Sequence, residues 1–332
     1  MQVRGKTKIL VIFGYPGIGD ILLASPVLRA IYGYYNDVEF TLFARKIPSL
    51  SSVFNIIPHC ERVVFYDKNR EHKSNLSFFR LCVSLRKEKF DLAVVLHHSP
   101  RNSIVSFLSN AKNRIGFDYG INKIFLTKHI TPNEDQNIIY YYADILKTIG
   151  IKEFDPKPWI IKQNVKKVKN RIVFSIGSSW YRKEWPPENF AFLANMLYKA
   201  GYEIILVGSE KDIEKANIIK SNSIVTNMVN KTKDLLDLCK IIESSNLLIC
   251  PDTASLHIAR GLGTKTISLF GPTSPLIYGP LPEEKADHKT IYSNLPCSNK
   301  CIDRECSDNL CMKRITPDEV YKKAIKALSS NQ

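Results

Sequence analysis

The chain has 332 residues, with 47 Lys+Arg against 32 Asp+Glu and a formal charge of +15. Its hydrophobic content of 44% and charged content of 24% exclude a disordered, collagen-like or coiled-coil protein. At roughly 150 residues per domain the length predicts two domains, each large enough to bury its own core. The positive excess is uneven: residues 1–150 hold 20 basic and 12 acidic groups, residues 151–170 hold 6 and 2, and residues 171–332 hold 21 and 18. Such a surface attracts an anion, whether nucleic acid, an anionic membrane or a phosphorylated substrate, although lysines on solvated faces give the same sum.

In chain order, residues 8–13 (KILVIF) have the composition of a buried strand. A glycine-rich turn follows, then a helix over about 20–34. Strands are expected at 38–43, 62–66 and 92–96, and helices at 76–87 and 137–149, the last closed by Gly150. Residues 151–170 break the rhythm with Pro156, Pro158 and the basic Lys166, Lys167 and Lys169, and are expected to form a basic connector between domains 1–150 and 171–332. The alternation then restarts, with strands at 171–176, 203–207, 246–250 and 266–270. Helices are expected at 187–200, 234–244, 254–262 and about 317–328, the last free to pack back on the first domain. Alternating strands and helices predict an α/β protein of two doubly wound, Rossmann-like domains facing a cleft, with ligands outside the carboxyl ends of the strands. The most apolar early stretch, 9–28, is interrupted by Gly14, Pro16, Gly17, Gly19 and Asp20. It suits neither a spanning helix nor a signal peptide, so the expected location is cytoplasmic, with contact at a membrane surface.

Four segments carry candidate chemistry, each just past a predicted strand. Gly14-Tyr-Pro-Gly17-Ile-Gly19-Asp20 opens the first helix. Its glycines allow close backbone approach, and Asp20 either caps the helix or works as an acid or base at the cleft edge. Its GxxGxG spacing differs from the dinucleotide fingerprint, and it lacks the P-loop Lys and Ser/Thr. In the second half, Gly177, Ser178 and Ser179 offer donors to phosphate, with Arg182 and Lys183 adding charge, while Trp185-Pro186-Pro187 sets the helix start. Asp252-Thr253-Ala254-Ser-Leu-His257 runs from strand to helix, where the first N–H groups form an anion site. Phe270-Gly-Pro-Thr-Ser-Pro275 is the fourth turn.

Together these motifs resemble the bacterial lipopolysaccharide heptosyltransferases, family 9 of the glycosyltransferases. The resemblance rests on Gly19-Asp20-Ile-Leu-Leu-Ala-Ser-Pro26, on Ser178-Ser179…Lys183-Glu-Trp185-Pro186, on Asp252-Thr253-Ala-Ser-Leu-His257-Ile-Ala259 and on Leu269-Phe270-Gly271-Pro272-Thr273. Ala254 stands where the family more often has glycine, and Pro251 is less usual. The resemblance implies a GT-B fold with an acceptor-binding first domain and a donor-binding second, and inverting transfer without a metal or other cofactor. It further implies an ADP-heptose-like donor, an anionic lipopolysaccharide core acceptor, work at the inner face of the inner membrane, and no nucleic-acid partner. By the same resemblance Asp20 is the general base and Lys183 stabilises the departing diphosphate. Gly17, Gly19, Ser178, Ser179, Asp252, Thr253, Ala254 and His257 line the donor site.

Cys297, Cys301, Cys306 and Cys311 form a cluster spaced more widely than Cys-x2-Cys. Four thiolates can hold structural zinc, and paired or free thiols are the other readings. Two different function classes compete with sugar transfer. A nicotinamide-dependent oxidoreductase would use the Gly14–Gly19 turn and needs an acidic residue at the end of the second strand, where Phe43-Ala-Arg45-Lys46 stands instead. A nucleic-acid-binding protein would explain the charge, but no DNA- or RNA-reading motif accompanies it.

Overall fold

The computed structural model describes all residues except 1–5, 15, 36, 48–49, 98, 294, 298–305, 307 and 330–332. The chain forms two compact units, Met1–Ile160 and Ile161–Gln332.

The strands of the first unit are β1 (Thr7–Gly14), β2 (Val38–Arg45), β3 (Cys60–Tyr66), β4 (Leu92–Val95), β5 (Asn113–Phe117) and β6 (Lys128–Ile130). They pair in the order β3-β2-β1-β4-β5-β6, all parallel. The helices are α1 (Ile18–Tyr35), α2 (Asn75–Ser84), α3 (Pro100–Leu108) and α4 (Ile138–Ala143). Residues Ile9 to Ile12 of β1 are fully buried, as a parallel strand covered on both faces must be. The predicted helix over 137–149 is α4 followed by a 3-10 turn, Asp144–Ile149, which stops at Gly150 with φ 85°.

The second unit repeats the plan. Its strands are β7 (Arg171–Ser175), β8 (Glu203–Val207), β9 (Thr226–Asn227), β10 (Leu247–Pro251), β11 (Lys265–Phe270) and β12 (His288–Tyr292). Their order is β12-β11-β10-β7-β8-β9, again all parallel. Counted from its own first strand, each sheet has the 3-2-1-4-5-6 arrangement of a Rossmann-like domain. The helices are α5 (Pro187–Lys199), α6 (Ile213–Asn222), α7 (Leu235–Glu243), α8 (Ala254–Leu262), α9 (Pro275–Tyr278), α10 (Leu310–Lys313) and α11 (Pro317–Ser329). Helix α11 packs within this unit: Val320 and Ala324 join the core built on Phe174, Phe190 and Leu269.

In both units the strand order reverses beside the first strand, between β1 and β4 and between β7 and β10. Loops leaving neighbouring strands there diverge to opposite faces and open a crevice at the carboxyl edge.

Residues 151–160 are tied to the first unit. Arg29 of α1 bonds Asp155 and the Lys157 carbonyl. Pro26 lies inside α1 and has no N–H for the Leu22 carbonyl. The Ser25 hydroxyl donates to that carbonyl at 2.6 Å and accepts from Trp159 N at 2.7 Å. On the other side, Gln163 N donates to Glu243 and Val168 N to Ser244 O. Lys167 turns inward onto Ser245 O and Thr264 Oγ1. Ser25→Ala would leave two buried backbone groups unmatched, and is expected to lower the urea stability of the protein by about 1–3 kcal/mol.

Candidate active site

In the first unit, β1 ends at Gly14, with φ 71°, and a Cβ there would lie 2.3 Å from Asn102 Nδ2. Asn102 is buried and donates to the His97 carbonyl, so the loops after β1 and β4 touch through a glycine. Helix α1 opens beside this contact. Asp20 lies in its first turn, half-buried, and its Oδ2 accepts from Gly17 N at 2.8 Å. Asp20 therefore caps the helix, and its other oxygen makes no hydrogen bond among the described residues. Gly19 is half-buried in the same turn and Gly17 is exposed. Strand β2 ends at Arg45, so the acidic ribose-binding residue of a nicotinamide site is absent from its end.

In the second unit, the loop after β7 and the start of α8 after β10 flank the crevice. Lys183 Nζ lies 2.7 Å from Asp252 Oδ2, and Thr273 Oγ1 donates to the same oxygen at 2.8 Å. Asp252 is 5% exposed. A carboxylate so buried needs partners of this kind to remain charged. Thr273 comes from the turn after β11, so three strand ends converge on one carboxylate. Lys183 Nζ also sits 5.9 Å over the Tyr278 ring of α9. Thr253 caps α8 in extended geometry with no side-chain hydrogen bond to the first turn. Thr253 and Ala254 are half-buried, so the α8 N-terminus faces the crevice with its backbone donors and positive dipole end.

The loop that carries Lys183 is clamped from beneath. A Cβ on Gly177 would lie 2.2 Å from Asp212 Oδ2. Asp212 accepts from Ser209 N and Oγ, and Lys215 bridges Asp212 at 2.5 Å to Glu184 at 2.7 Å. Ser178 N in turn points to Glu184 at 3.4 Å, and Ser178 Oγ accepts from Trp180 N. Ser179 is exposed. Arg182 differs from its expected role: it is buried against the Trp180 and Tyr181 rings and donates to Tyr181 Oη. Lys183 is thus the loop cation that reaches the crevice. Trp185 is buried, with its indole N–H on the Ile315 carbonyl.

His257, 2% exposed, lies one turn inside α8. Burial, then Arg260 and Lys183, push its pKa well below the usual histidine value, which favours the neutral ring. Arg260 and its partner Glu284 gave no signal at the level of motifs. Nor did the Asp212–Lys215 clamp, although Gly208-Ser209 just past β8 marks its place. Of the clustered cysteines, Cys297 is exposed, Cys306 half-buried and Cys311 buried, and Cys301 lies outside the described residues. Cys311 and Met312 pack where a Gly271 side chain would be. Among the described residues no group of three or more His, Cys, Asp or Glu is placed to hold a metal ion, and no helix is long and apolar enough to cross a membrane.

The chain is similar to known proteins along most of its length. The family model described as "Glycosyltransferase family 9 (heptosyltransferase)" matches residues 78–309. Lipooligosaccharide heptosyltransferase 2 of Campylobacter jejuni is 28% identical over 334 residues, covering 94% of this chain and 96% of that protein. A glycosyltransferase family 9 structure from Veillonella parvula superposes with a TM-score of 0.83 at 21% identity, covering 98% of both chains. The structure of Escherichia coli ADP-heptose LPS heptosyltransferase II gives 0.79 at 20% identity, covering 98% of this chain and 99% of that one. These likenesses establish two Rossmann-like domains of the GT-B type.

Gly177→Ala tests the clamp. It is expected to push Asp212 off Ser209 and Lys215 and to reduce stability by about 1–3 kcal/mol. In an Asp212→Ala background the same substitution should be nearly silent, read as a double-mutant cycle in urea denaturation.

Proposed function

This chain belongs to glycosyltransferase family 9, the heptosyltransferases, and on that premise we propose that it moves heptose from ADP-heptose to a lipopolysaccharide core, inverting the anomeric carbon without a metal. The observation that carries this reading is the meeting of Lys183, Asp252 and the α8 N-terminus at the crevice of the second unit. A nucleoside-diphosphate sugar brings two kinds of group that such a site can meet. Its phosphates suit a lysine and free backbone N–H groups, and its hydroxyls suit a buried carboxylate. The name of the Escherichia coli relative specifies ADP-heptose, and the donor is carried over from that likeness.

Asp20 is the base in this proposal. It takes the proton of the acceptor hydroxyl while that oxygen bonds to the anomeric carbon. The bond from that carbon to the diphosphate oxygen breaks on the opposite side, and ADP leaves with the electron pair. Attack opposite the leaving group inverts the centre. Lys183 and the α8 N–H groups stabilise the negative charge that develops on the phosphate. Lys183 rests on Asp252 in this structure, so donor binding would exchange one anionic partner of Lys183 for another and free Asp252 for sugar hydroxyls. Thr253, Ala254 and the exposed Ser179 border the phosphates, and Gly17 and Gly19 keep the entrance of α1 clear for a substrate. A lysine supplies here the positive charge that paired carboxylates supply elsewhere by holding a divalent ion. The sequence contains no Asp-x-Asp pair.

The first unit is proposed to bind the acceptor, since the larger positive excess lies in residues 1–150 and a lipopolysaccharide core is anionic. Transient contact with an anionic membrane face at the cytoplasmic side follows from the same charge.

Asp20→Asn is the discriminating variant. The amide oxygen still accepts from Gly17 N, so the helix cap survives while the base is lost. Turnover is expected to fall about 10²- to 10⁴-fold with affinity for ADP-heptose kept. Unchanged transfer would remove Asp20 as the base. Lys183→Ala is expected to lower turnover by about 10²-fold or more and to weaken ADP binding as well.

A further inference from the structure

Arg260 has no part in the chemistry above, yet its side chain is fully buried on α8. Its Nε donates to Glu284 Oε1 at 3.2 Å and its Nη2 to Glu284 Oε2 at 2.5 Å, a two-pronged ion pair. Glu284 also accepts from Leu281 N at 2.8 Å, which holds it in place. The remaining arm, Nη1, lies 3.3 Å from His257 Nδ1. The two residues are three apart on one helix and so share a face. Burying a guanidinium is expensive, and packing alone would be served by an apolar side chain of the same volume.

We propose that Arg260, anchored by Glu284, is a positioning residue that fixes His257 as the neutral tautomer with its proton on Nε2, so that the ring serves the donor site as a hydrogen-bond donor and never as an acid or base. The proposal rests on the reading that the second unit binds a nucleotide sugar. A guanidinium has donors and no acceptor. The 3.3 Å contact is therefore a hydrogen bond only when Nδ1 is bare. A neutral imidazole with a bare Nδ1 carries its hydrogen on Nε2. Nε2 makes no hydrogen bond among the described residues, so this N–H is available to a ligand oxygen.

The charged groups acting on the ring point the same way. Arg260 lies beside it on α8, and Lys183 reaches toward it from the loop after β7. Glu284 neutralises Arg260 from the segment before β12. A protonated ring would stand between two cations in a dry site. The division of labour follows: Lys183 supplies charge to the diphosphate, and His257 supplies a directed N–H that does not change as the leaving group departs.

The test reads the tautomer directly. Protein labelled with 15N-histidine is followed by long-range 1H–15N correlation without ligand, with His257→Gln used to assign the signals. From about pH 8 to about pH 5.5, a range that spans ordinary histidine titration, Nδ1 is expected to stay pyridine-like and Nε2 pyrrole-like. A ring protonated on Nδ1, or one that titrates to imidazolium in that range, would overturn the proposal whether or not any variant folds. In Arg260→Gln/Glu284→Gln the fixed tautomer is expected to be lost, with the Nδ1 and Nε2 signals drawn toward one another, while burial of the ring still opposes its charge. A ring still locked there would show that the pair is not what fixes it. His257→Gln keeps an N–H donor at the ε position and should retain most of the affinity for ADP-heptose, whereas His257→Leu should lose about tenfold. Equal loss in both would overturn the donor role. Failure of the wild-type protein to bind ADP-heptose at all would instead end the functional reading, and the spectrum of the free ring would still report the tautomer.

Discussion

The 2.7 Å contact between Lys183 Nζ and Asp252 Oδ2 depends on one topological fact. β7 and β10 are neighbours, although 70 residues lie between Ser175 at the end of one strand and Asn246 just before the other. The chain builds outward from β7 in one direction, then returns to pair β10 on its other side. The loops after the two strands are thereby brought together at the carboxyl edge, one carrying a lysine and the other a carboxylate. Asp252 can be both buried and charged because Lys183 and Thr273 supply its partners. Those partners come from the other two loops that enclose the site.

Other buried charges of the second unit serve the same loops. Lys215 joins Asp212 to Glu184 and so holds the loop of Lys183 against the end of β8. Arg260 joins Glu284 to the His257 ring. Gly177 permits the approach of Asp212, because a Cβ there would meet the carboxylate inside contact distance, and Gly271 admits Cys311 and Met312 in the same way. Buried ion pairs add little net stability relative to apolar packing, and strong penalties attach to breaking one. Their concentration around one crevice fits a site that needs fixed geometry more than it needs a stronger core.

Much of this was legible in the chain itself, for physical reasons that differ by element. β1, β7 and β10 are covered on both faces, so they appear as unbroken apolar runs such as ILVIF and LLIC. β5 begins with Asn113 and Arg114 and buries only its last three residues, and β6 is a short edge strand with two of three residues exposed. Neither makes a hydrophobic pattern. Helix α3 hides differently. It buries Asn102, Ser103 and Ser106, and the hydroxyls of Ser106 and of Ser109 at its end bond carbonyls one turn back, so a packed helix has the composition of a loop. Motif spacing offered as candidates Asp20 in the first unit and Lys183, Asp252 and His257 in the second. It did not identify Glu284, Lys215 or Asp212, because their partners are set by tertiary packing across many residues. It also credited Arg182 with a phosphate role that its burial against two aromatic rings does not support. A basic pair in a loop shows charge, and only packing decides which member faces the crevice.

The central claim is that the crevice between β7 and β10 recognises a diphosphate through Lys183 and a sugar through Asp252. Calorimetric titration of the wild-type protein, Lys183→Ala and Asp252→Asn with both ADP and ADP-heptose tests it most directly. The account predicts that the lysine variant weakens both ligands together. It predicts that the carboxylate variant removes most of the preference for ADP-heptose over ADP while leaving ADP affinity close to wild type. Equal affinities of all three proteins for both ligands would contradict it.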